Sequence, residues 1–354
     1  VIGSTSAYDD VAHELRLADA AAESAEYALE ISGRGSPASE VPSEAALPFG
    51  ADEEGDVAGE RSSLLEAAGD KAAGAPPRPE DYYLQKYPYT GYIILAGCVA
   101  GLLYSIYANG WAIEPLHVNM MVGPGLKALV ASGARDTPLI VDGGEWWRLL
   151  SPMWLHAGLV HLAVNMSVLM RFGWPMEREA GCHRFVPVYV LGGVLGAVAS
   201  AVFLPDLVSV GASGACFAII GAVWADLLQN WGIMYSSGRC CQCTVMVLCL
   251  GLSTALNLAL GLMPFVDNFA HVFGMLGGLC VGVVVMIRPR KHRQGASAWQ
   301  LGCAWVGGCL YALLALVLTV ALYLQVKTDD WCPFCDYISC VEIGDLWTCD
   351  ADVI

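Results

Sequence analysis

Long, continuous apolar runs fill the chain after Tyr92, and they decide most of what it can become. A helix that crosses a bilayer needs about 20 apolar residues. The runs are unbroken rather than alternating, so they specify helices and not barrel strands. The expected fold class is therefore all-α, a polytopic membrane helix bundle. Composition points the same way. Hydrophobic residues make up 56% of the chain and charged residues 15%, whereas soluble domains carry roughly 45–50% and about 25%.

Residues 1–80 differ in kind. They are rich in Ala, Glu, Ser, Gly and Pro, poor in aromatics, and hold most of the excess acid behind the net charge of −16. Such a segment cannot bury enough apolar surface to offset its ordering entropy. It reads as a disordered cytosolic tail, with helical content between Asp9 and Ile31. The membrane domain is expected over 81–325 and a Cys-rich lumenal or extracellular tail over 326–354. No basic patch with interleaved aromatics marks a nucleic-acid surface; the bilayer is the expected partner, and no cofactor is called for.

Seven spans are expected, over 91–107, about 159–172, 185–204, 211–231, 244–263, 268–287 and 301–324. The long first loop ends in Glu145-Trp146-Trp147-Arg148, which suits a headgroup-level segment. Arg171, Arg178 and Arg184, then Arg239, then Arg288, Arg290, Lys291 and Arg293 fall in loops on one side of such a chain. By the positive-inside rule that side is cytosolic. The C-tail then lies on the oxidising side, where disulfides among Cys332, Cys335, Cys340 and Cys349 are expected, with three pairings open. A metal or redox role for Cys332 and Cys335 is the weaker reading.

Two polar residues stand out against this background. Ser213 opens one apolar run, in Gly211-Ala212-Ser213-Gly214, and His271 opens another. Taken alone, each has a plain reading: a serine among glycines packs helices, and a buried histidine is often a bonded structural group. Both follow loops on the non-cytosolic side, so both sit at a shallow, shared depth. Gly214 and Gly221 on one span, with Gly274 and Gly278 on the other, are spaced for close helix contact. His161 and Asn165, four apart on the second span, share a helix face and could hold an oxyanion beside the N–H of Ser213. No acidic residue is obviously placed to orient His271, which favours a dyad over a triad. A metal site from His156, His161 and His271 lacks an acidic or thiolate partner and is disfavoured.

In combination these pieces resemble the rhomboid intramembrane serine proteases. Trp147-Arg148, His156, His161-x-x-x-Asn165, Gly173-x-x-x-Glu177-x-x-x-Gly181, Gly211-x-Ser213-Gly214 and Ala270-His271-x-x-Gly274-x-x-x-Gly278 occur in the family's order. The span after the histidine resembles the eukaryotic secretase-type arrangement, six spans plus one. The resemblance implies Ser213 as nucleophile and His271 as base. It implies His161, Asn165 and Gly211 at the oxyanion and substrate site, and His156, Trp147, Arg148, Glu177 and Phe217 as structural support. Many members carry Tyr where Phe217 stands; stacking on the imidazole survives that change and the hydroxyl does not. The implied substrates are single-span membrane proteins cleaved near the lumenal or extracellular face, in the Golgi, endomembranes or plasma membrane. An inactive, client-binding relative is the alternative; a transporter would carry more intramembrane charge and internal repeats.

Overall fold

The computed structural model describes residues 84–235, 240–261, 266–287 and 296–326, together with Cys332, Cys335 and Ile338. The expected tail over residues 1–80, the basic loop before the last span, and Cys340 and Cys349 lie outside the described residues. Among the described residues the chain is helical, and one isolated antiparallel bridge, Arg135 to Ser209, is the extended pairing.

Helix α1 spans Tyr89–Ala108. Its first amide donors, which no helix can satisfy internally, are taken by a carboxylate from far along the chain. Thr90 N donates to Glu177 Oε1 and Gly91 N to Oε2, both at 2.8 Å, and Gln85 Nε2 adds a third bond. Glu177 is fully buried, and the positive end of the α1 dipole stabilises its charge there. About two turns further in, Gly97, and a turn beyond it Gly101, make room for Trp154; a Cβ at Gly97 would lie 2.5 Å from the indole.

The first loop is built rather than loose. Helix α2, Leu126–Ser132, stops at Gly133, whose φ of +109° is a left-handed value that suits glycine. Helix α3, Thr137–Val141, is capped by Asp136 and has Pro138 in its first turn. Two 3-10 turns follow, Trp146–Leu149 and Ser151–Trp154. The headgroup expectation for Trp147-Arg148 divides here. Trp146 and Trp147 stay exposed, but Arg148 turns inward and donates from Nη1 to the carbonyls of Val130 and Ala134, each at 2.8 Å. It fastens the loop to itself.

Helix α4, Leu159–Val168, passes through a π turn at Leu169–Gly173 into α5, Trp174–Ala180. The second helical segment therefore outruns its expected end at residue 172. Pro175 would normally break a helix by deleting an amide donor; the wide π turn just before it absorbs that loss. Helices α6, Cys182–Phe203, α7, Ser213–Tyr235, α8, Cys240–Leu260, α9, Asn268–Val285, and α10, Ala298–Tyr323, complete the bundle. Among the described residues α1, α6, α9 and α10 are long and apolar enough to cross a membrane by themselves.

Helices α6, α7 and α9 pack against one another, with α9 touching both of the others, and α7 and α9 meet by backbone contact. Gly274 lies against the Gly214 carbonyl, Gly278 against that of Ala218, and Gly221 against that of Met275. On α6, a Cβ at Gly196 would stand 2.6 Å from the Ala270 carbonyl oxygen. Lipid tails are as apolar as leucine, so close packing of this kind drives helix association in a bilayer. At the end of α7 remote from Ser213, buried amides join α10 to the core. Gln300 Nε2 donates to Asn230 Oδ1, Gln229 Nε2 to the Val283 carbonyl and Asn230 Nδ2 to that of Met286, at 2.7–2.9 Å. Helix α8 lies outermost, with Leu248, Leu252 and Leu256 exposed and Trp224 Nε1 bonded to Thr254 Oγ1 at 3.1 Å.

Candidate active site

Ser213 is the first residue of α7 and is reached through a constrained approach. Gly211 N donates to the Pro152 carbonyl at 2.9 Å, and Gly211 has φ +132°, a value that side chains rarely tolerate. This turn keeps Gly211 out of the helix, so α7 starts two residues later than the expected fourth span. As the first helical residue, Ser213 has a backbone N–H with no partner within its own helix.

His271 occupies the first turn of α9. Asp267 precedes that helix and accepts a bond from Ala270 N through Oδ1 at 3.0 Å. Its Oδ2 accepts the Ser200 hydroxyl in a short bond. The carboxylate is thus committed to the helix cap and to α6, not to the imidazole. Contacts of Gly214 with Ala270 and Gly274 set the first turn of α7 against the first two turns of α9. One turn along from Ser213, the Phe217 ring stacks on His271 with centroids 4.3 Å apart and planes 17° from parallel. Among the described residues no hydrogen bond joins Ser213 to His271; catalytic bonds often tighten only when substrate binds.

His161 stands beside this approach. Ala157 N donates to its Nδ1 at 3.3 Å, so the neutral ring carries its proton on Nε2. That edge faces Gly211: a Cβ there would lie 2.9 Å from Nε2 and 2.7 Å from Cε1. A donor is therefore aimed at the segment leading into Ser213. Asn165 lies on the same helix face as His161, as the four-residue spacing implies. Its Nδ2 folds back onto the His161 carbonyl at 3.0 Å, and its own carbonyl accepts from Cys216 Sγ. His156 is fully buried and edge-on to His161, centroids 5.3 Å apart. Burial, and then the neighbouring His161, push its imidazole down to about 3, so it is a neutral ring packed against His161. Trp147 and Arg148 act in the first loop, and Glu177 caps α1, away from the pair. Among the described residues no cluster of His, Cys, Asp or Glu is arranged to hold a metal ion.

Sequence reasoning gave no role to two buried residues that contact the segments leading into Ser213 and His271. Asp267 had a readable signal, an acidic side chain one residue before an apolar run, which is a helix-cap pattern. Arg135 had none, because apart from Thr137 its partners come from the loop and turn segments at 204, 209 and 267.

The C-terminal segment also reaches this region. Cys332 and Cys335 are disulfide-bonded, consistent with one of the three open pairings, and pack with Phe269. Asn268 Nδ2 donates to the Ile338 carbonyl at 2.9 Å.

The rhomboid domain family model matches residues 143–288, which hold every element just described from the Trp147-Arg148 turn to His271. RHOMBOID-like protein 6, mitochondrial, from Arabidopsis thaliana is 35% identical over 266 residues, covering 71% of this chain and 83% of its own. RHOMBOID-like protein 2 from the same plant is 36% identical over 263 residues, 71% of this chain and 79% of its own. Inactive RHOMBOID-like protein 8, also from Arabidopsis thaliana, is 27% identical over 262 residues, 68% and 72% of the two chains. The family comprises intramembrane serine proteases together with members named inactive. This chain is a multi-pass membrane protein that belongs to the rhomboid family.

Proposed function

We propose that the protein is an active intramembrane serine endopeptidase that cuts single-span membrane proteins with a Ser213–His271 dyad. The observation that carries this reading is the joint placement of Phe217 on the His271 ring and of Gly214 against the α9 backbone. Together they hold an imidazole beside the first turn of the serine-bearing helix.

In the proposed reaction His271 takes the proton from Ser213 Oγ as the oxygen attacks the scissile carbonyl. The Ser213 N–H and His161 Nε2–H donate to the oxyanion that forms. Protonated His271 then gives its proton to the departing amine, leaving an acyl ester on Ser213. Water, deprotonated by the same imidazole, hydrolyses that ester and restores both residues. A helical substrate hides its carbonyls in its own hydrogen bonds, so it must unwind first. Residues with poor helix propensity near the cut site lower that cost. The expected cut is at the lumenal or extracellular end of the substrate span, in an endomembrane or the plasma membrane.

The second reading is an inactive relative that binds membrane clients, favoured by the similarity to a protein named inactive. Ser213 and His271 are both present here, which supports activity. Co-expression of a model single-span substrate with wild type or Ser213→Ala separates the two. Processing by wild type alone supports the protease; equal processing in both selects the client-binding reading.

A further inference from the structure

One buried cation lies outside this machinery. Arg135, between α2 and α3 in the first loop, is 1% exposed. Burying a guanidinium is costly unless it is paired and hydrogen-bonded, so its partners show what it does. Nη1 donates to the Leu204 carbonyl at 2.9 Å and to Thr137 Oγ1 at 3.1 Å. Nη2 lies 3.9 Å from Asp267 Oδ2. The backbone of the same residue pairs in both directions with Ser209: Arg135 N to the Ser209 carbonyl at 2.9 Å, and the return bond at 3.1 Å.

The backbone pair with Ser209 and the ion-pair contact with Asp267, in which Nη2 makes no hydrogen bond, lead to different halves of the proposed dyad. Ser209 lies two residues before Gly211 and four before Ser213. Asp267 caps α9 and lies four residues before His271, whose N–H donates to the Asp267 carbonyl at 3.3 Å. Leu204 and Thr137 connect the same guanidinium to the end of α6. We propose that Arg135 is a positioning residue that sets the register between Ser213 and His271, its backbone holding the approach to one and its side chain the helix cap that delivers the other. It touches no reacting atom. This rests on the dyad reading, and it adds to that reading a residue outside the matched family domain.

The test uses the full chain in detergent and in proteoliposomes. Wild type is compared with Arg135→Gln, Arg135→Lys and Asp267→Asn, and with Ser213→Ala as the control for the dyad itself. The first readout needs no activity: hydrogen exchange in peptides covering residues 205–213 and 266–275. Arg135→Gln is expected to speed exchange about tenfold or more in both, with residues 296–305 unchanged, and Arg135→Lys to lie between. The second readout is cleavage of a model single-span substrate. Arg135→Gln is expected to lower kcat about tenfold with KM within about twofold, Arg135→Lys to recover part, and Asp267→Asn to add little to Arg135→Gln. Unchanged exchange in both peptides overturns the proposal, as does an equal rise along the whole chain or a loss confined to KM. Should Arg135→Gln fail to fold, Arg135→Lys carries the same comparison. Equal processing by wild type and Ser213→Ala defeats the dyad, and the exchange readout then still decides whether Arg135 ties the two segments.

Discussion

The Phe217 ring lies flat against His271, 4.3 Å between centroids, and both belong to the first two turns of helices that touch backbone to backbone. An aromatic pair of this kind contributes about 0.5–1.5 kcal/mol beyond the area it buries. Its larger effect is to fix the imidazole plane. Phe217→Tyr keeps the ring and is expected to leave fluorophosphonate labelling of Ser213 within about twofold of wild type, whereas Phe217→Leu is expected to slow it about tenfold. Equal labelling rates for all three would show that the stack does not orient His271.

The α7–α9 contact makes a sharper structural prediction. At Gly278 a Cβ would collide with the backbone of Ala218, which has no flexible end to move aside, whereas Gly302 on α10 has open space around it. Overpacking costs about 1–3 kcal/mol even where side chains can shift. Gly278→Val is therefore expected to lower the melting temperature in detergent by several degrees or to prevent folding, with Gly302→Val near wild type. Matching melting curves for the two variants would mean the helices are not held by this contact.

Glu177 joins segments almost ninety residues apart. Its two oxygens take two amide donors at the start of α1 and the Gln85 side chain just before it. Glu177→Gln keeps the shape, but its amide end would face an N–H instead of accepting from it. A lost charge-assisted bond plus a stranded buried donor costs about 1–3 kcal/mol. The expected outcome is a lower melting temperature and easier proteolysis around Gln85–Tyr89, with α9 intact. Unaltered digestion of that stretch would argue that α1 is anchored by Trp154 and its glycines alone.

How much of this was legible beforehand varies from residue to residue. The apolar runs announced the helices because a bilayer demands long uninterrupted spans. The glycines at 214, 221, 274 and 278 announced the α7–α9 contact through their spacing. Local patterns say nothing of partners far along the chain. That is why the burial of Arg148 and the two-way hold of Arg135 were invisible in the sequence. The extension of the second helical segment past 172 depends on a π turn that compensates for Pro175, a local device without a periodic signal. Asn165 shows the opposite limit: its helix face was readable from spacing, but not the rotamer that returns its amide to His161.

Helix α8 is the outermost of the candidate site's neighbours, and Thr254 both accepts from Trp224 Nε1 and donates to the Leu250 carbonyl, at 3.1 and 2.7 Å. Thr254→Val removes the acceptor and leaves the indole N–H of α7 to lose its bond, while side-chain volume barely changes. A single such bond is worth about 0.5–1.5 kcal/mol, enough to shift a population between closed and open arrangements by roughly two- to twelve-fold. If substrates enter between α7 and α8, the variant should cleave a single-span substrate several-fold faster at low concentration with dyad labelling by a small fluorophosphonate unchanged. Slower cleavage with the same labelling would mean that this bond helps to bind the substrate, and that entry lies elsewhere.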